Sequence, residues 1–473
     1  MKQEEGVSLS ATTIQPVNNA AIAKSQPKNI GVLDGLRGIA ILLVIFYHIH
    51  QSAPPIDELK YPWLGAITIT TNTGVTLFFI LSGFLLFQPY AKALLTNGPW
   101  PSLRRFYLRR VLRIIPAYYC ALFIISILFS PQFLQPDHWG SFVLFLTFLM
   151  DTTKETFRQL DGPFWTLAIE WQFYMLLPFI ALGFSFVIKR LPHCNTEGRR
   201  LLAILSGCTI VLIWALVLRW FGSLNLVTSS FDSFPQAVFA LLHGYDGKYF
   251  EVFSQGMALS ACFCFATQSQ AGARLNRWFK RLSPFMLVTG LLVLYICALW
   301  IFNLFYYKQH EFPFMDGLNP YFVVYNGTFI GIGYTLCMCA LLFGPRFLQR
   351  IVEFAPLKKV ALISFGLYMW HLPFIQFFRD HIYPTLQPMG RWHLYISYWV
   401  VVALVAVPIA TMSYLFIEKP AMQLAHRKTS SARAKIVPAP TREAQPLFQA
   451  AFEQDITNAI TQKQSTYADM DKA

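Results

Sequence analysis

Charge is scarce in this sequence. Of its 473 residues only 13% are charged and 55% are hydrophobic, against roughly a quarter charged in soluble globular proteins. That balance excludes a soluble globular chain, and a mean hydropathy of +0.44 agrees. Cysteine pairs at metal-ligand spacing are also missing. The CFC at 262–264 and the CMC at 337–339 fall one residue short of CxxC and point their thiols to different helix faces. All cysteines but Cys194 lie in apolar runs, so they read as small buried hydrophobes, and no metal is expected. The first thirty residues lack the apolar run followed by small residues that marks a cleaved signal. Rich in Ser, Thr, Asn, Gln and Ala, residues 1–30 read as a disordered cytoplasmic tail.

What the chain does have is a series of apolar runs between Ile39 and Ile417, several near the ~20 residues needed to cross a bilayer. The fold class is therefore all-α and polytopic, with about ten spans in the cell membrane (the inner one if bacterial). They are expected near 36–52, 73–91, 111–130, 164–188, 200–221, 252–267, 285–305, 323–343, 360–378 and 395–417. A further run, Trp139–Met150, is too short to cross at ~1.5 Å per residue. If it stays on one side, the loops sharing a side with both tails hold seventeen Lys or Arg and the opposite loops seven. This positive-inside bias puts both termini in the cytoplasm and makes 139–150 interfacial or re-entrant. It also explains the net charge of +14 without nucleic acid. Residues 421–473 form a cytoplasmic tail. Its Leu447, Phe448, Ala451, Phe452, Ile456 and Ile460, at helical spacing, suit either a short amphipathic helix or simple disorder.

Within these spans three ionisable side chains lie deep: His48, Glu170 and His371. Arg37 and His48 are eleven residues apart, three turns plus about 20°, which places them on one helix face about 16 Å apart along the axis. The span positions of Glu170 and His371 put all three groups at a similar depth and suggest one shared site. An imidazole beside a carboxylate is suited to taking a proton from a hydroxyl. The alternative is that each is a structural hydrogen-bonding group between helices, which an unpartnered carboxylate fits least well.

The segment SLRRFYLRRVLRIIPAYY, Ser102–Tyr119, carries five arginines, of which Arg113 lies a few residues into a span. Guanidinium forks suit the phosphates of an anionic donor. They also suit lipid headgroups and the topology rule. In TLFFILSGFLLF, Ser82 and Gly83 point to close helix packing before any contact with substrate.

Taken together these stretches resemble a known family. LDGLRGIAILLVIFYH, FFILSGF, RRVLRIIPAYY, FWTLAIEWQFYMLLP, SFGLYMWHLPF and IEKP look like the ordered motifs of acyltransferase family 3, over about residues 31–420. The resemblance implies an integral membrane O-acyltransferase. It would move an acyl group, often acetyl, from acyl-CoA as co-substrate, with no bound cofactor, to a hydroxyl of a carbohydrate or other cell-envelope acceptor. It makes His48 the essential histidine and Arg37 its paired arginine. Ser82, Arg110, Arg113, Glu170 and His371 match motif positions of less settled role. Where family members often carry two adjacent acids, this chain has Glu170 followed by Trp171, and by length it looks like the stand-alone form. Acyl-CoA phosphates would face Arg37, Arg110 and Arg113. His48, supported by Glu170 or His371, would act as general base or carry the acyl group briefly. The rival readings are a proton-coupled transporter, since buried His and Glu also serve proton relays, and a non-catalytic scaffold.

Overall fold

The computed structural model describes residues 31–53, 60–224, 229–305, 312–386 and 390–434. The N-terminal tail and the stretch 447–460 lie outside the described residues. Every regular element among the described residues is helical. The principal ones are α1 (Gly31–Ser52), α2 (Gly74–Thr96), α3 (Leu103–Leu128), α4 (Trp139–Leu146), α5 (Phe164–Arg190), α6 (Glu197–Ser223), α7 (Phe250–Gln268), α8 (Ala273–Phe305) and α9 (Phe322–Phe343). Two more complete the bundle, α10 (Ser364–Leu386) and α11 (Arg391–Ala425). Among the described residues nine helices are long and apolar enough to cross a membrane. The count is ten when Ala355–Leu362 and α10, bent by 76° at their junction, are taken as one span. Each of the ten expected spans coincides with one of these, so the chain is a multi-pass membrane protein.

Local sequence chemistry sets several boundaries. Ser102 caps α3 by accepting from the Arg105 N–H at 3.5 Å, and Thr196 caps α6 by accepting from Arg199 at 3.4 Å. α2 stops at Asn97, which takes the left-handed conformation (φ 53°) that asparagine tolerates at a helix end. Other boundaries differ from the sequence reading. The segment read as a loop at 268–284 is helical from Ala273, because Arg274, Arg277, Lys280 and Arg281 extend α8 beyond its apolar stretch. α7 begins at Phe250 and so takes Glu251 into its first turn.

The short run at 139 forms α4, eight residues and ~12 Å long, too short to span. The Tyr118 hydroxyl donates to the Phe145 carbonyl and that of Tyr119 to the Leu146 carbonyl, both at 2.8 Å, so α3 satisfies two of the acceptors that the end of α4 leaves open.

α2 and α7 pack closely. A Cβ on Gly83 would stand 2.3 Å from the Phe253 carbonyl oxygen, and one on Gly256 the same distance from that of Ile80. The two backbones touch at a crossing that only small residues permit. With Gly83 turned to α7, Ser82, about 100° round the helix, turns to α5. Three π-helical turns interrupt the last two helices, at Phe378–Ile382 in α10 and at Val402–Ala406 and Tyr414–Glu418 in α11.

Candidate active site

Among the described residues, two cavities inside the bundle gather the candidate side chains. The first, of about 250 Å³, is lined by Arg37, Arg110, Arg113, Ser82, Glu170 and Tyr174 among others. Arg110 and Arg113, three residues apart, share the inward face of α3, whereas Arg104 and Arg109 are exposed. Helical spacing thus selects two of the five arginines and joins them to Arg37 of α1. Arg37 is held to Asp34, one turn earlier, at 3.6 Å. The Arg110 guanidinium lies 5.8 Å from the centre of the Tyr174 ring. One oxygen of Glu170 accepts hydrogen bonds from the hydroxyls of both Ser82 and Tyr174. Trp171, which follows Glu170 in place of a second acid, stacks on Phe148 with ring centres 5.0 Å apart.

The second cavity, of about 600 Å³, holds His48. His371 is fully buried beside it, with the two imidazole centres 5.1 Å apart. His371 Nδ1 lies 2.8 Å from the Leu367 carbonyl. A carbonyl can only accept, so Nδ1 carries the proton and Nε2 is the bare nitrogen. That Nε2 is buried and has no hydrogen-bond partner among the described residues.

Arg158, Arg219, Asp246, Tyr249, Gln376 and Arg379 line the same cavity. Its arginines are paired: Arg219 with Glu251 at 2.8 Å, Arg379 with Asp380 at 2.7 Å and Arg158 with Asp246 at 3.9 Å. Lys248 and Asp151, both almost fully buried, meet at 2.5 Å, and Gln172 donates to the other Asp151 oxygen at 2.8 Å. These contacts tie the segments around 151 and 248 to each other beside the cavity.

The arrangement revises one expectation. His48 and His371 come together, but Glu170 lines the arginine cavity and its carboxylate is taken up by Ser82 and Tyr174. Depth along the membrane normal sets a residue's height and leaves its neighbours within the plane to helix packing. Arg37 and His48 do share the inward face of α1, one in each cavity, as their spacing implied. Sequence reasoning missed Arg219 and Glu251, which stand near the end of α6 and at the start of α7. Opposite charges flanking one inter-helix segment were a usable signal. It also missed Tyr368 and Thr166, for which no charge gave a signal.

The family model described as an acyltransferase domain matches residues 30–415. The chain belongs to acyltransferase family 3. Among curated members it is 27% identical over 414 residues to the peptidoglycan O-acetyltransferase OatA of Listeria monocytogenes, covering 83% of this chain and 56% of that one. It is 26% identical over 405 residues to the putative peptidoglycan O-acetyltransferase YrhL of Bacillus subtilis, covering 82% and 54%. The O-acetyltransferase OatA of Staphylococcus aureus is 22% identical over 443 residues, covering 83% and 57%. The chain spans about half the length of these relatives. No solved structure matches it significantly.

Proposed function

We propose that this protein is a membrane O-acyltransferase that moves an acyl group, acetyl first of all, from cytosolic acyl-CoA to a hydroxyl of a cell-envelope carbohydrate. The observation that carries the reading is the pair of adjoining cavities, one rich in cations and one with its cations paired. The first gathers three guanidinium groups around one carboxylate and suits the phosphates of a coenzyme A thioester. The second has its arginines paired and His48 in its lining, with His371 packed against His48, which suits a neutral, hydroxyl-rich acceptor. The excess of Lys and Arg in the loops on the Arg37 side supports a first cavity that opens toward the cytoplasm. The names of the relatives make peptidoglycan sugars the first acceptor to test.

The chemistry follows from the imidazole pair. His371 packs against His48 with ring centres 5.1 Å apart, and neutral His48 keeps one ring nitrogen bare to act as base. The acceptor oxygen forms its bond to the acyl carbon as the thioester C–S bond breaks. His48 takes the hydroxyl proton and passes it to the departing thiolate. Protonated His48 has no lone pair to offer, so the rate should fall at acid pH. Glu170, held by Ser82 and Tyr174, orders the arginine cavity and balances part of its charge.

The test is transfer from labelled acetyl-CoA into cell-envelope material in membranes carrying wild-type protein or His48→Ala at matched levels. Loss of a general base is expected to lower incorporation by about 10²–10⁴-fold. Equal incorporation in both would remove His48 from the mechanism.

A further inference from the structure

The two cavities share a wall. Tyr368 and Val75 are the residues common to the linings of both. Tyr368 belongs to α10 three residues before His371, and its ring centre is 6.1 Å from the His371 imidazole. On the other side it meets Phe78 edge to face at 6.0 Å. Its hydroxyl is 2.5 Å from Thr166 Oγ1. Thr166 Oγ1 donates its single proton to the Pro163 carbonyl at 2.9 Å. The proton in the first contact therefore comes from Tyr368, and the chain runs Tyr368 to Thr166 to Pro163. Tyr368 and Thr166 are both buried, 6% and 4% exposed. An aromatic ring braced by Phe78, Thr166 and the His371 helix thus stands between the arginine cavity and the histidine cavity.

We propose that Tyr368 is a specificity-determining residue that sets the length of acyl chain this protein transfers. The inference rests on the donor and acceptor assignment of the two cavities above. A thioester whose phosphates lie among the arginines must bring its carbonyl past this ring to meet the hydroxyl that His48 deprotonates. An acetyl group adds one methyl beyond the carbonyl. Each further methylene has to find room against a ring that a hydrogen bond and two aromatic neighbours keep in place. The hydroxyl of Tyr368 holds the ring, and the ring supplies the bulk, so the two can be separated by substitution.

The experiment compares acetyl-CoA with butyryl-CoA as donors for wild type, Tyr368→Phe and Tyr368→Ala, reading the ratio of kcat/KM values in membranes at matched protein levels. Wild type is expected to favour acetyl. Tyr368→Ala should raise the butyryl-to-acetyl ratio by roughly tenfold or more, the scale on which pockets discriminate added methylenes. Tyr368→Phe keeps the bulk and should leave the ratio within about twofold. Val75→Ala opens the same wall from α2 and should move the ratio in the direction of Tyr368→Ala, which keeps the test decisive if Tyr368→Ala does not accumulate. Acetyl transfer by wild type with an unchanged ratio in the alanine variants overturns the assignment of Tyr368 alone. A wild type that already uses butyryl as well as acetyl overturns it too. Absence of transfer by wild type from either donor overturns the acyl-transfer reading on which it stands.

Discussion

Replacing Glu251 with alanine tests how the histidine cavity is held together. The Arg219 and Glu251 side chains are 6% and 0% exposed, and Nε meets Oε1 at 2.8 Å. This pair joins the end of α6 to the start of α7. Arg219 also lies 4.3 Å over the Tyr249 ring and donates through Nη1 to the Val323 carbonyl at 3.1 Å. Removing the carboxylate leaves a buried cation with a ring face, one neutral acceptor and the more distant charge of Asp246. Breaking a buried pair from one side typically costs about 3–5 kcal/mol. Because the ring and the carbonyl remain, the lower end, about 3 kcal/mol or roughly a hundredfold in the folding equilibrium, is expected. Reversible denaturant titration in mixed micelles measures it. Removing both charges, as Arg219→Met with Glu251→Leu, should recover most of the loss, since a well-packed apolar pair replaces a buried ion pair at little cost. A double variant as unstable as Glu251→Ala, or a single variant within about 1 kcal/mol of wild type, would refute the view that the charge is buried and compensated by Glu251.

Two further outcomes follow from the packing and the loops. Gly83→Ala puts a methyl 2.3 Å from the Phe253 carbonyl oxygen, so α2 and α7 must part. A loss of about 1–3 kcal/mol is expected, with weakened transfer because Ser82 moves from Glu170, and an unchanged melting curve would count against the crossing. Asp161, in the segment before α5, is buried with neither carboxyl oxygen hydrogen-bonded among the described residues, and burial pushes its carboxyl well above the usual range. Its contribution to stability is therefore full below the unfolded value near 4 and is lost as pH rises toward the folded value. The melting temperature of Asp161→Asn relative to wild type should climb between about pH 4 and 8, whereas a constant difference would mean that Asp161 ionises as freely folded as unfolded.

Much of this architecture was legible in the sequence because a bilayer imposes a simple code. Apolar length placed ten spans, and the twelve-residue run at Trp139 was too short to be an eleventh. The periodicity of α1 put Arg37 and His48 on one face, and the FILSGF stretch announced the close packing that Gly83 makes. The grouping within the site was harder to read. His48, Glu170 and His371 share a depth, yet in-plane position depends on which helices adjoin, and Glu170 proved to belong with Ser82 and the arginines. Arg219 and Glu251 were passed over because boundaries drawn at 221 and 252 left one at a helix end and the other outside a helix. Tyr368 and Thr166 are neutral, so a search for ionisable groups could not reach them. Tyr368 stands between two empty spaces and Thr166 accepts its hydroxyl proton, and both relations are properties of the assembled bundle.

The π-helical turns in α10 and α11 bear on how sequences of this kind are compared. Each accommodates one residue beyond what an α-helix of the same height would hold, so every side chain after it is rotated by about 100° from where uninterrupted counting would put it. α11 contains two such turns, and Glu418 lies at the end of the second. A relative lacking one of these insertions keeps the same surface facing its neighbours with one residue fewer. Single-residue gaps inside these membrane helices therefore mark a change of winding, and forcing the helices into gapless register would pair residues that face different partners.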